Sequence, residues 1–379
     1  MKKTVLELIP EHIKALAGYV PGKHIREAHR ESGVAMVKLA SNENPFGPSP
    51  RAVEAIRAAA NEVNLYPDND ATELRLALAA RHGLAPEQVL LADGSLGILD
   101  IVARTLLTPG HNCVTSERSF ISYTIVTQAA GARLITTQMR DHAYDLDLIT
   151  AAINDETRVI ILANPNNPTG TMFDADAFDR FLERVPDHVL VVLDEAYSDF
   201  ATSFAAQRGV TYSRSMEHVR APHTNLLVLR TFSKAHGLAG LRVGYGCGHP
   251  ELLQYFARVR NAFSISGVAE AAALAALHDE AHISMTVKNN LAGSVWLLEH
   301  LAELGITAVP TSANFVYFET EENAAALAKK MQAEGVIIRP LSAWGIPNGI
   351  RVTVGTPEQN DRFFRAMKKV LTPAMIPAK

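Results

Sequence analysis

Four apolar runs punctuate the middle of the chain, and each one ends in a polar cluster. They are Val89-Leu90-Leu91-Ala92, Val159-Ile160-Ile161-Leu162-Ala163, Val189-Leu190-Val191-Val192-Leu193 and Leu226-Leu227-Val228-Leu229. None alternates with polar residues, so each reads as a strand covered on both faces, with longer amphipathic stretches between. This pattern predicts an α/β architecture, with helices packed on a mostly parallel sheet. Asp93-Gly94-Ser95 follows the first run and Asn164-Pro165-Asn166-Asn167-Pro168-Thr169-Gly170 the second. Asp194-Glu195-Ala196-Tyr197 follows the third and Thr231-Phe232-Ser233-Lys234 the fourth. Ligands of open parallel sheets bind beyond the carboxyl ends of the strands, so the four clusters are expected to meet at one crevice.

Helix signals fit around these strands. Ser49-Pro50 is a cap with proline at the first turn, and Gly83 closes the run from Thr72 to His82. Beyond about residue 260 the texture changes to alanine-rich helices and shorter strands, with Phe315-Val316-Tyr317-Phe318 and Ile350-Arg351-Val352-Thr353-Val354 as candidates. Thr356-Pro357 opens a last helix whose Phe363, Phe364, Met367, Val370 and Leu371 share a face. At 379 residues the chain exceeds one ordinary domain. The expected division is an arm at 1–35 that includes part of a small domain, a large domain at 36–260 and a small α+β domain at 261–379.

Composition narrows the function. A net charge of -4 and a pI near 6.4 supply no basic stripe for nucleic acid. Two cysteines, Cys113 and Cys247, without paired spacing point to a reducing cytoplasm. Glu7, Glu11 and Lys14 interrupt any apolar signal core near the start, and no run is long enough to span a bilayer. The fourteen histidines show no His-Glu-x-x-His spacing, Gly-x-Ser-x-Gly is absent, and no metal site is expected. Gly244-Tyr245-Gly246-Cys247-Gly248 fails as a dinucleotide loop, because its third glycine is misplaced and Pro250 follows at once.

The fourth cluster carries the chemistry. A strand that ends in Thr231, Ser233 and Lys234, with Arg242 eight residues beyond the lysine, can hold a phosphorylated aldehyde by both ends. The amine condenses with the aldehyde carbon while the hydroxyls and guanidinium take the phosphate. Asp194 closes an apolar run, so its carboxylate needs a cationic or proton-bearing partner. It either caps the next helix or keeps a pyridine nitrogen protonated. Tyr197 and Asn167 are placed to reach the same ring's phenolic oxygen. Gly94-Ser95 is either a plain turn or a helix start that favours phosphate. Phe120 is either core or a ring stacked on the pyridine.

Together these segments resemble the fold-type I pyridoxal-phosphate aminotransferases over essentially the whole chain, and most closely the histidinol-phosphate aminotransferase branch. The likeness runs through Gly18-Tyr19-Val20-Pro21-Gly22-Lys23, Leu39 to Pro48, Leu65-Tyr66-Pro67-Asp68, Asn164 to Gly170, Ser233 to Arg242 and Ile350 to Thr356. It implies a large domain with a mostly parallel seven-stranded sheet, a smaller α+β domain and pyridoxal 5'-phosphate as cofactor. Lys234 then carries the cofactor and moves the α-proton, Asp194 pairs with the ring nitrogen, and Asn167 and Tyr197 face the ring oxygen. Phe120 stacks on the ring, and Gly94, Ser95, Leu96, Thr231, Ser233 and Arg242 surround the phosphate. Tyr66 reaches a phosphate across a homodimer, so the active sites are shared. Arg351 binds the anionic end of an amino donor or 2-oxo acid acceptor, with Tyr19, Asn44 and Arg339 as further substrate contacts. The run Gly94-Ser95-Leu96-Gly97 lacks the acidic residue frequent there in the family.

The expected reaction is histidinol phosphate with 2-oxoglutarate giving imidazole acetol phosphate and glutamate, in histidine biosynthesis. An aromatic amino acid (phenylalanine) aminotransferase is the nearest alternative, followed by a pyridoxal-phosphate decarboxylase or a non-catalytic binding protein of the same fold. Retention of Lys234, Asp194 and Arg351 together favours catalysis.

Overall fold

The computed structural model describes residues 4–18, 25, 27, 30, 34–221 and 225–371. Its principal sheet has seven strands, in the order Val89–Ala92, Gly244–Gly248, Leu226–Thr231, Leu190–Asp194, Thr157–Ala163, Asn112–Ser116 and Arg133–Thr137. All pair in parallel except Gly244–Gly248, which runs antiparallel to both neighbours. In the central strands Leu226–Thr231, Leu190–Asp194 and Thr157–Ala163 nearly every side chain is buried, as expected of a sheet covered by helices on both faces. Sequence reading does not mark Gly244–Gly248 as a strand, because three glycines carry no apolar pattern. Their smallness is what the position needs: a Cβ on Gly246 would press within 3.2–3.4 Å of the methyls of Leu227, Ile98 and Leu229.

The expected helix boundaries follow their local chemistry. Ser49 Oγ accepts from the Ala52 N–H at 3.1 Å and opens Pro50–Ala59. Gly83 closes Thr72–His82 with φ 62°, the left-handed conformation that glycine adopts without a Cβ penalty. Thr356 caps Pro357–Val370, whose Phe363 and Met367 enter a second core.

That second core surrounds a four-stranded antiparallel sheet in the order Ala308–Val309, Phe315–Glu319, Gly349–Thr353 and Arg339–Pro340. Two elements pack across the expected domain limits. The helix Gly267–Leu277 lies beyond the expected limit at 260, yet Ala269, Ala272, Ala273, Ala276 and Leu277 belong to the large-domain core. Its alanine face allows close approach to Pro50–Ala59, which also carries several alanines. Conversely, Val37–Lys38 pairs in parallel with Val336–Ile337, and Leu39 is buried in the small core, although 36–260 was expected to be one domain. The segment after Leu39 therefore crosses from the small domain to the large one. No helix among the described residues is long and apolar enough to cross a membrane.

Candidate active site

The carboxyl ends of the parallel strands open into a cavity of about 720 Å³, walled on the other side by Arg339, Trp344 and Arg351 of the small domain. Lys234 stands three residues past the strand Leu226–Thr231, and its Nζ donates to the Ser41 carbonyl at 3.4 Å. Burial and the Arg351 charge lower its pKa from 10.5 to about 8. Asp194, the last residue of its strand, accepts from Tyr123 Oη at 2.9 Å and from the Ala196 N–H at 3.2 Å. Burial nevertheless raises its pKa from 3.8 to about 6, because two hydrogen bonds replace only part of the lost hydration.

An anion cradle lies beside these groups. Arg242 Nη1 donates to Ser233 Oγ at 3.3 Å and to the Ala239 carbonyl at 3.0 Å. Ser233 accepts at its hydroxyl from Thr231 Oγ1 at 3.0 Å, and its own N–H donates back to Thr231 Oγ1 at 3.1 Å. The guanidinium reaches over Gly94 so closely that a Cβ there would meet Arg242 Nη2 at 2.6 Å. Gly94 has φ 88° and starts the helix Ser95–Leu106, whose first N–H groups have no intrahelical acceptor. Hydroxyl, guanidinium and helix terminus thus converge on one spot suited to phosphate.

Arg351, 5% exposed, donates through Nη1 to Asn167 Oδ1 and through Nη2 to the Ala40 carbonyl at 2.9 Å, with its carbon 5.3 Å from the Phe315 ring centre. Arg339, 7% exposed, lies 5.0 Å above the Trp344 ring. Two guanidiniums therefore face the crevice from the small domain. Phe120 lines the cavity and meets Tyr123 edge-on at 5.7 Å.

Of the residues singled out in the sequence, Ser95, Leu96, Phe120, Asn167, Asp194, Tyr197, Thr231, Ser233, Lys234, Arg242, Arg339 and Arg351 all line this one cavity, with Gly94 beneath Arg242. Two stand elsewhere. Asn44, expected to contact substrate, donates through its amide to the Ala235 carbonyl at 2.8 Å and to Thr286 Oγ1 at 3.1 Å, behind the Lys234 turn. Tyr66 is 85% exposed in a separate groove, with its ring 4.8 Å from that of Phe263. Tyr19 lies outside the described residues. Sequence reasoning missed Tyr123 and Asn42, whose amide donates to Tyr197 Oη at 2.8 Å. The signal for Tyr123 was available, since it stands three residues after Phe120 in the first turn of the next helix; Asn42 had no local signal beyond its place in Leu39 to Pro48.

Residues 34–367 match the family of aminotransferase class I and II. The histidinol-phosphate aminotransferase 2 of Pseudomonas aeruginosa is 45% identical over 369 residues, covering 97% of this chain and 98% of that protein. The histidinol-phosphate aminotransferase 1 of Thiobacillus denitrificans is 46% identical over 368 residues, covering 96% and 94%. Among solved structures, the histidinol-phosphate aminotransferase of Sinorhizobium meliloti, in complex with pyridoxal-5'-phosphate, superposes with a TM-score of 0.85 at 28% identity over 95% of this chain and 96% of its own. The aspartate aminotransferase of Thermus thermophilus, at 23% identity and a TM-score of 0.82, shares the fold. With the match spanning both cores and the crevice between them, this chain belongs to the class I and II aminotransferases.

Proposed function

We propose that this chain is a pyridoxal-phosphate-dependent histidinol-phosphate aminotransferase, which exchanges an amino group between histidinol phosphate and 2-oxoglutarate. The observation that carries the reading is the meeting of one amine, one buried carboxylate and two buried guanidiniums, Lys234, Asp194, Arg339 and Arg351, in a single crevice.

The donor set fits pyridoxal phosphate. Asp194 is a carboxylate whose ionised form is disfavoured by burial, and a protonated ring nitrogen supplies the partner that stabilises it. Ser233, Arg242 and the start of Ser95–Leu106 fit a phosphate, and Lys234 is the amine that would link to the aldehyde. When bound, the cofactor supplies an electron sink for charge developing at the substrate's α-carbon.

The chain's own groups do the rest. With its pKa near 8, Lys234 Nζ is partly free amine near neutral pH, so it could take up the substrate's α-proton and give a proton back. Arg351 presents a fork to an anionic substrate end, and Arg339 adds a second positive group. Glutamate brings a carboxylate and histidinol phosphate a phosphate to that region, and a guanidinium accepts either. Small-domain residues wall one side of the crevice that holds the amine.

The working unit in this reading is a homodimer with shared sites. Val63, Leu65 and Tyr66 are 72%, 64% and 85% exposed along one groove, an apolar surface that a second copy of the chain would cover. Tyr66 would then approach the partner's phosphate cradle. A second substrate reading, aromatic amino acids, draws on the apolar wall of Leu96, Ile101 and Ile125. The deciding experiment measures kcat/KM for histidinol phosphate and for phenylalanine, each with 2-oxoglutarate. The proposal requires the first to be larger; the reverse order transfers the assignment to the aromatic reading.

A further inference from the structure

Asn42 sits where the small domain meets the crevice. It is 1% exposed and has a left-handed backbone, φ 56°, which asparagine tolerates better than most residues. Its N–H donates to Thr353 Oγ1 at 2.9 Å, and its carbonyl accepts from Asn314 Nδ2 at 3.0 Å. The Thr353 hydroxyl donates in return to Asn42 Oδ1 at 3.3 Å. This last bond favours one orientation of the amide, since Thr353 Oγ1 already accepts from the Asn42 N–H and has its hydrogen to give. With Oδ1 turned to a hydroxyl donor, Nδ2 lies on the opposite side, where it donates to Tyr197 Oη at 2.8 Å.

The neighbouring residues touch the rest of the site. The Ser41 carbonyl accepts from Lys234 Nζ at 3.4 Å, and the Ala40 carbonyl accepts from Arg351 Nη2 at 2.9 Å. Ala40, Ser41 and Asn42 therefore contact Arg351, Lys234 and Tyr197 in turn. Thr353, which fixes Asn42, stands two residues beyond Arg351 on the strand Gly349–Thr353.

We propose that Asn42 is a positioning residue for transamination: by donating to Tyr197 Oη it makes that oxygen an acceptor and directs the phenolic hydrogen away from itself, toward the crevice and the cofactor's ring oxygen. The inference rests on the site being a pyridoxal-phosphate site. Without the Asn42 donor the Tyr197 hydroxyl can turn, and its bond to the ring oxygen weakens. That bond draws electron density from the ring, so its loss makes the carbon–nitrogen linkage at Lys234 more basic.

Two variants separate the effect from simple loss of packing. Asn42→Gly keeps the left-handed backbone and removes the amide. Asn42→Asp keeps the shape and the Thr353 contact but presents an acceptor to Tyr197, inviting the phenolic hydrogen the wrong way. The readout is the pH midpoint of the absorbance change of the Lys234-bound cofactor, with cofactor affinity of the apo protein as a second measure. Asn42→Gly should raise the midpoint by about one pH unit, and Asn42→Asp by more. In a Tyr197→Phe background, Asn42→Gly should add no further shift. An unchanged midpoint, or equal shifts with and without the Tyr197 hydroxyl, overturns the inference. Should the glycine variant fail to fold, Asn42→Asp carries the comparison: an unmoved midpoint counts against the inference and a rise that exceeds the one it causes with Tyr197→Phe supports it. Failure of the unaltered protein to bind the cofactor at Lys234 overturns both this inference and the proposed function. Normal transamination with additive shifts overturns this inference alone.

Discussion

Tyr123 Oη donates a 2.9 Å hydrogen bond to Asp194 Oδ2 from the first turn of the helix Ser122–Ala129. The tyrosine is fully buried, and burial together with the neighbouring carboxylate raises its own pKa well above 10.0, so it stays a donor at every working pH. Its role is to keep Asp194 ionised despite burial. Tyr123→Phe removes the donor while retaining the ring, and a hydrogen bond to a charged group contributes about 1.5–3 kcal/mol. We expect kcat/KM to fall at least tenfold and cofactor to bind more weakly, as measured by steady-state kinetics and cofactor titration. Unchanged values would mean that Asp194 needs no such support.

Asp194 also makes the apo protein pH-sensitive. Its folded pKa of about 6 lies above the ordinary 3.8, so ionising it costs the folded state more than the unfolded one as pH rises through that window. The cost is absent below the lower value and complete above the upper one, where it reaches roughly 3 kcal/mol. Apo Asp194→Asn should therefore melt higher than the unaltered apo protein at pH 7.5, with the gap closing toward pH 4. Calorimetry of both proteins across that range checks the sign. The holo variant should show the opposite, losing the cofactor contact.

Lys234 titrates under the influence of Arg351. Burial and that guanidinium bring the amine to about 8, and removal of the guanidinium raises it toward 10.5. The rate at which the apo protein forms an adduct with pyridoxal phosphate should rise with pH around a midpoint near 8, and Arg351→Gln should move that midpoint upward. Arg351→Lys, which retains the charge, should restore it. A midpoint already near the ordinary lysine value in the unaltered protein would refute the electrostatic account.

Gly244 supports the phosphate cradle from below. A Cβ there would lie 2.4 Å from the Ser95 backbone nitrogen and 2.5 Å from the Gly94 carbonyl carbon, a clash with backbone that no side-chain rotation relieves. Gly244→Ala should weaken cofactor binding at least tenfold and lower stability by about 1–3 kcal/mol, read by cofactor titration and urea unfolding. Gly240→Ala, whose Cβ meets nothing within 4 Å, serves as the control and should change neither.

Asn42 and Asn44 show where sequence reasoning reached its limit. Residues two apart in an extended segment share a face, yet only Asn44 was assigned a role from the sequence and Asn42 none. The left-handed backbone at Asn42 breaks that alternation. Asn42 consequently addresses Tyr197, while Asn44 holds the Ala235 carbonyl behind the Lys234 turn. The helix Gly267–Leu277 is a similar case, because an alanine-rich surface shows no preference between two cores until a partner surface is present.

The linear chain was sufficient to mark the strands with two covered faces, the caps at Ser49, Gly83 and Thr356, and the polar clusters at the strand ends. These depend on periodicity and on residues within a turn of one another, so they survive without a folded context. Family likeness carried the roles of Lys234 and Asp194. Only the folded chain could join Tyr123 to Asp194 and Asn42 to Tyr197, partners 71 and 155 residues apart. It alone could seat Gly244 against Ser95 and bring Arg351 over the crevice from a second core. Such contacts arise from sheet order and domain packing, and a hydrogen bond or steric limit between distant segments leaves no periodic trace in either segment.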